Sequence, residues 1–496
     1  MLFKDKLDLQ LNRGYVGFPT ALASSVGVIM ASPVILTVTS GFGIGGDTFA
    51  LAILLSFIMI QCQITTFSEA ASMMPTAGSV YDYISCGMGR FWAIIGAISA
   101  YLIVHIFAGT AETVLSGIMA IVNFEGLNAA LEDKNASWVV GVGIVCAFGL
   151  LNAFGIEVFG RAEIFLTFAM WVTLMTFSIV GLIIAPAVKL ESFFGTGLVS
   201  DPFMVFSLVG MAMFMFVGCE LVTPMAPEIK KSHKTIPYAS ALGLCFVALC
   251  MYLYGASLSH QVENIFLDEQ TGLRLLDTPM AIPVFAKNVM GEWGPYWLGI
   301  GFLLAGGATI NTLMAAVPRI LYGMAVDGAL PKIFGYLHPK YKTPVFSILI
   351  AVVLPCVHAF WIQGDIDKIF PLVLAAVCSW GVAYLLVTLS IVILRIRRPD
   401  YPRAYKSPFF PIPQIISSIG IVIAIVFITP PGMNASAVYV PFGIILALTA
   451  LYALIWTIGV QKVNPFLPVP LEESVSKSFA VTDKKFLEIN ELKSID

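Results

Sequence analysis

Two acids and a histidine lie where a hydrocarbon environment would make them expensive. His105 and Glu112 fall seven residues apart in one long apolar stretch, and Glu220 falls in another. A carboxylate at mid-bilayer costs on the order of 3 kcal/mol on insertion scales, so it normally faces a cavity or a partner. Glu220 is suited to carry a proton or to pair with a substrate ammonium, the plain alternative being a protonated acid bonded to a neighbouring helix. Spacing of seven puts Glu112 and His105 on one helical face, where they line a pathway or form a polar contact between helices. For His105 the structural role is the expectation.

Near these residues the sequence breaks its own helices. Gly27-Val28-Ile29-Met30-Ala31-Ser32-Pro33 and Gly218-Cys219-Glu220-Leu221-Val222-Thr223-Pro224 each place a proline six residues after a glycine. Glycine frees the backbone and proline removes an N–H, the combination that unwinds a helix. In transporters built from inverted repeats, two such interrupted helices in corresponding positions of the halves form the binding site near mid-membrane. A simple kink is the competing reading.

The chain that must position these groups has 496 residues, 58% hydrophobic and 11% charged, with a mean hydropathy of +0.90. Soluble domains carry about 25% charged residues, so soluble enzymes, disulfide scaffolds and disordered chains are excluded. Apolar stretches of about 20 residues or more read as transmembrane helices, and twelve are found: 15–40, 48–72, 91–121, 138–158, 161–187, 203–227, 237–260, 292–317, 344–362, 370–394, 411–430 and 438–460. The predicted fold is an all-α polytopic membrane protein, a five-plus-five inverted repeat with helices 1 and 6 discontinuous. The predicted layout is an N-terminal segment 1–14, a transport core 15–400, two peripheral helices 401–460 and a polar tail 461–496. With the N-terminus inside, 22 of the 27 basic residues fall on the cytoplasmic side, as the positive-inside rule requires. Both termini are therefore expected in the cytoplasm.

Nothing else in the chain promises chemistry. The eight cysteines form no C-x-x-C pair and read as small apolar residues. The five histidines show no metal-ligand spacing, and no phosphate-cradling loop is present. No cleavable leader, cofactor, metal site or nucleic-acid surface is expected, and neither is an enzymatic reaction.

Five segments resemble the amino acid–polyamine–organocation transporter family, over about residues 20–410. They are the span 1 break, Phe67-Ser68-Glu69 with Met74-Pro75-Thr76-Ala77-Gly78-Ser79-Val80-Tyr81, and Phe216-Val217-Gly218-Cys219-Glu220 with Pro227-Glu228-Ile229-Lys230 and Ile236-Pro237. The others are Pro318-Arg319 to Tyr322-Gly323-Met324-Ala325 with Asp327-Gly328-Ala329-Leu330-Pro331 and Thr343-Pro344, and Arg395-Ile396-Arg397-Arg398-Pro399 to Arg403-Ala404-Tyr405. The resemblance implies a plasma-membrane permease or antiporter that moves amino acids by alternating access, with a proton or sodium ion as possible coupling ion. The alternative it leaves open is an amine or polyamine carrier, or an amino acid/amine exchanger; a substrate sensor on the same fold is a further possibility.

By position, the resemblance assigns the substrate carboxylate to amides of Ala31 and Ser32, the ammonium to carbonyls of Val217, Gly218 and Cys219, and an aromatic gate to Phe214. Glu112 and Glu220 could bind two ammonium groups of an amine substrate, and Arg90, Arg319, Asp327 and Glu228 lie at inner helix ends, either as ion pairs of an inward gate or, more ordinarily, as interfacial anchors. Two departures matter. Pro33 replaces a glycine and removes a donor from the carboxylate loop. Some relatives carry a lysine in span 5; here Met170 falls near its place, leaving Glu220-linked proton coupling, sodium coupling or exchange.

Overall fold

The computed structural model describes residues 11, 14–124, 137–184, 202–259, 281–363, 365, 368–429 and 433–478, and its regular elements are helical throughout. Lys134, Lys189 and Arg274, with nearly all of segment 1–14 and the end of the tail, lie outside the described residues.

The first apolar stretch is two helices, α1 (Phe18–Gly27) and α2 (Ser32–Gly45), bent by 49° across a four-residue gap. Ala31 is extended at φ −72°, ψ 156°, and Pro33 stands in the first turn of α2, where a missing N–H costs nothing. The chain continues through α3 (Asp47–Met73) and a short α4 (Val80–Met88). A long third span follows: α5 (Arg90–Ala97), a π-helical turn at Ile98–Ile103 and α6 (Val104–Asn123). Next come α7 (Ser137–Ala153) and α8 (Ile156–Ile184).

The second break falls where the Gly–Pro spacing put it, but it begins earlier. Helix α9 (Pro202–Met213) stops short of Gly218, and the chain resumes as a tight 3₁₀ coil, Cys219–Glu228. Gly218 takes φ +106°, a region that side chains with a Cβ disfavour. Pro224 and Pro227 inside the coil remove donors that a regular α-helix would need. The remaining elements are α10 (Ser232–Ser259), α11 (Ala281–Met290), α12 (Gly294–Val326), α13 (Val345–Ile362), α14 (Ile369–Arg397), α15 (Ile412–Val426), α16 (Ser436–Ile455) and α17 (Leu471–Ser478).

Helices cover all twelve apolar stretches. By length and apolarity eight qualify as spans among the described residues, nine if α1 and α2 count as one. Helices α7 and α15 are shorter, and the sixth stretch is divided. The packing carries a repeat: α1 lies on α10 as α9 lies on α3, and α8 lies on α12 as α14 lies on α6. Exchanging the first five stretches for the second five therefore maps contacts onto contacts. Polarity is inside-out relative to a soluble protein: α8 exposes Phe165, Phe168 and Ile183 while burying Glu163 and Thr167. That arrangement suits a helix facing lipid on one side.

Helix α15 packs on α3, α9 and α14, and α16 on α5 and α14. The first part of the polar tail is docked: Phe91 N–H donates to Pro465 O and Val469 N–H to Ser85 O, each at 2.9 Å. Phe466 packs against Phe91, ring centroids 5.2 Å apart.

Candidate functional site

The two breaks face one another across an enclosed cavity of about 20 Å³. Val28 and Ala31 line it from the first stretch, Phe214 and Val217 from the sixth, Thr309 from α12 and Trp380 from α14. That volume holds about one water, too little for an amino acid. Phe214 and Trp380 stand side by side, centroids 6.4 Å apart, giving the cavity an aromatic wall on which a cation can rest.

Each break has a buried acid hydrogen-bonded to its backbone. At the first, Glu112 reaches from α6 to the start of α2: Ser32 N–H donates to its Oε2 at 2.9 Å, and Ser116 Oγ–H to its Oε1 at 2.8 Å. A helix N-terminus attracts anions through its free N–H groups and its dipole. Here the acceptor is the protein's own carboxyl group. The Ser32 amide, which the resemblance assigns to a substrate carboxylate, donates to Glu112 in this structure. Pro33 contributes no donor, and the Ser32 hydroxyl is turned to Phe302 O at 3.2 Å.

At the second break, Gly218 N–H lies within hydrogen-bond reach of Glu220 Oε2 (3.1 Å) and Tyr384 Oη (3.0 Å), and Tyr384 donates to the same carboxylate. Glu220 Oε1 and Trp380 Nε1 are both buried. The Trp380 indole adjoins the Glu220 carboxylate at the edge of the cavity. Of the carbonyls assigned to the ammonium, Gly218 O accepts from Leu221 N–H at 2.8 Å and Cys219 O from Ser240 Oγ at 3.5 Å. Ala31, Val217 and Phe214 thus share the cavity; Ser32 and Glu112 form one flanking cluster, and Gly218, Cys219 and Glu220 the other.

His105 bonds Ala351 O at 2.6 Å, which ties α6 to α13. Met170 is buried, but the groups of α8 that reach α1 are Glu163 and Thr167. Glu163 escapes the sequence reading because it follows Arg161 by two residues at the predicted start of its span, where charges ordinarily sit at the interface. Tyr384 and Trp380 have no motif of their own. A polar Thr167 four residues after Glu163, in a run otherwise apolar, is the signal that could have found the pair.

One end of the bundle gathers the other motif residues. Arg319 pairs with Glu228, both almost wholly buried, and Asp327 accepts from Arg90 Nε (2.8 Å) and Tyr81 Oη (2.6 Å). Glu69 joins Arg395 (Nε to Oε1, 2.7 Å) and Arg403 (3.1 Å). Val16, ahead of α1, bridges to Ile229, behind the 3₁₀ coil. Both broken stretches are thereby fastened together at this end.

A bundle of apolar helices, two of its stretches interrupted around a central cavity and its two halves packed alike, has the architecture of an inverted-repeat membrane protein. The family model of amino acid permeases matches residues 16–468, and the chain belongs to that family. Among its relatives, cationic amino acid transporter 3 (mitochondrial) of Arabidopsis thaliana is 26% identical over 76% of this chain and 62% of its own. The branched-chain amino acid permease BcaP of Bacillus subtilis is 23% identical over 78% and 82%, and the serine/threonine exchanger SteT of the same organism 23% over 82% and 89%. The chain thus spans about three-fifths of the length of the plant cationic transporter. A solved Na⁺-coupled sialic acid symporter, substrate-bound and outward-open, aligns with a TM-score of 0.53 at 14% identity, over 85% of this chain and 91% of that one. This last likeness is one of fold.

Proposed function

We propose that the protein is a secondary active transporter that carries amino acids across the cell membrane by alternating access at the two helix breaks. The observation that carries this reading is the closed cavity between Val28–Ala31 and Phe214–Val217. A site collapsed to one water must open to admit a solute, and its walls are the mobile-capable ends of broken helices. The fastened end, held by Arg319–Glu228 and Arg90–Asp327, is the inner gate, and both termini lie on that cytoplasmic side. The family and its named relatives, permeases and exchangers of amino acids, support the substrate class.

A second reading, an amine carrier or amino acid/amine exchanger, is favoured by one contact: Glu112 on Ser32 N–H. With the helix N-terminus filled by an internal carboxylate, the site presents two acids, Glu112 and Glu220, and no basic residue among its described neighbours. Such a site favours a cation.

The test is counterflow in proteoliposomes, with arginine, isoleucine, serine, agmatine and isobutylamine as the panel. Uptake of at least one amino acid, accelerated by the same compound inside, is the expected result. Acceleration by amines alone selects the second reading, and no acceleration by any member removes both.

A further inference from the structure

Glu163 lies outside the cavity and is wholly buried, yet it touches the hinge of the first break. A methyl group added to Gly27, the last residue of α1, would sit 2.1 Å from Glu163 Oε1. Asn311 Nδ2 donates to Oε2 at 2.7 Å. The direction of that donation is fixed from both sides: Asn311 Nδ2 also reaches Phe159 O at 3.3 Å, while its Oδ1 accepts from Asn152 Nδ2 at 2.8 Å, itself bonded to Phe148 O at 3.0 Å. The buried Thr312 hydroxyl adjoins the same carboxylate.

Thr167 is placed as a switch. Its hydroxyl stands 3.1 Å from Glu163 Oε1 and 3.2 Å from Ala23 O in α1. It has two acceptors and one proton. When Glu163 is ionised, that proton goes to the carboxylate. When Glu163 is protonated, its own O–H donates to Thr167 Oγ1, and the Thr167 proton turns to Ala23 O.

We propose that Glu163 is the proton-binding site that couples this carrier: a proton taken up there adds a hydrogen bond from α8 to α1, and its release frees α1 to move. The purpose assigned to the site rests on the transporter reading; its chemistry does not. Sodium is the poorer ligand, because the group held closest to the carboxylate, at 2.7 Å, is an amide donor. Asn311 turns its NH₂ inward, and the Thr309 hydroxyl is committed to Gly27 O at 3.0 Å, whereas hard cations collect oxygen acceptors.

Beside the Glu163 carboxylate itself, the described neighbours are neutral. The neighbours from α1 are Gly27 and Ala23, those from α12 Asn311 and Thr312, and Asn152 of α7 stands behind Asn311. Helix α10 brings Phe246 against Trp171 of α8 and Ser257 against Gly181, and with α11 it brings Tyr254 and Phe285 against Phe177; Tyr254, bonded to Thr39, is the titratable group among them. On α8 itself, Glu157 and Arg161 are exposed.

The experiment uses the full chain in lipid nanodiscs, with no transported substrate. Hydrogen–deuterium exchange of the α1 backbone, corrected for intrinsic rates, is followed from alkaline to acid pH, beside pH-difference infrared spectra of the carboxyl band. In the wild type, α1 protection rises on acidification. Glu163→Gln carries an N–H that can donate to Thr167 permanently, so α1 is protected at every pH and one titrating carboxyl component is lost. Thr167→Val has no hydroxyl, so α1 is unprotected at every pH while the carboxyl component persists; Thr167→Ser restores the wild-type response. If Glu163→Gln fails to fold, the Thr167 pair decides alone. Equal pH responses in the wild type and Thr167→Val overturn the proposal, as does loss of the titrating band when sodium chloride replaces choline chloride. Failed uptake with these responses intact removes the transporter reading and leaves the proton site standing.

Discussion

Replacing Glu112 by Gln should change what the site selects. The variant keeps the shape of the side chain, and its amide oxygen can still accept from Ser32 N–H. What it loses is a negative charge at the N-terminus of α2. A hydrogen bond to a charged group exceeds a neutral one by about 1 kcal/mol, and a charge at a partly buried helix terminus contributes about 1 kcal/mol more. In the wild type a substrate carboxylate must displace this anion to reach Ser32; in the variant the displacement is easier by about 2 kcal/mol, or roughly 30-fold in affinity. An amine gains nothing and loses its counter-charge. The assay is inhibition of counterflow by arginine and by its decarboxylated form, agmatine, in proteoliposomes of each protein, with monodispersity in detergent as the fold control. The arginine-to-agmatine preference should move toward arginine by at least tenfold. An unchanged ratio in a folded variant would show that Glu112 does not guard the carboxylate position.

Gly218→Ala forces a Cβ into φ +106°, although the nearest atom it would meet is 3.4 Å away. The cost is therefore backbone strain of about 1–3 kcal/mol, read as a lowered Tm; an unaltered Tm would contradict the left-handed break. Arg319→Met strands Glu228 in the interior and should cost about 3–5 kcal/mol, partly recovered by adding Glu228→Leu; equal stability of the single and double variants would argue against a buried pair. Tyr384→Phe removes the hydroxyl that donates to Glu220 and faces Gly218 N–H, and should destabilise by about 1–3 kcal/mol and alter the pH profile of uptake; an unmoved profile and Tm would make that hydroxyl dispensable. In the tail, the Arg398 guanidinium holds Glu472 below the usual carboxylate range. Pairing is then complete above the ordinary glutamate pKa and lost as pH falls through the lowered value. Deuterium uptake of residues 463–478 should rise, modestly for so exposed a pair, only on strong acidification, and uptake that stays flat there would mean the pair does not hold the tail.

The helix breaks were legible because glycine and proline act locally. Pro33 is pre-set for the first turn of a helix, and Gly218 admits a φ that few other residues tolerate. The buried acids could be nominated from cost alone, since Glu112 and Glu220 sit in stretches where a charge demands a reason. The partners could not. Ser32 meets Glu112 across 80 residues and Tyr384 meets Glu220 across 164, and no spacing rule reaches that far.

The same limit hid Glu163. Beside Arg161 it has the pattern of an interfacial anchor, and only the packing of α8 against α1 and α12 turns it inward beneath Gly27. Composition and periodicity determined that this chain crosses a membrane repeatedly and where two of its helices come apart, because those properties follow from each segment's own transfer energy and backbone freedom. Which carboxylate fills the freed helix end, and which hydroxyl has to choose between two acceptors, was decided by helix against helix, where position in space replaces position in the chain.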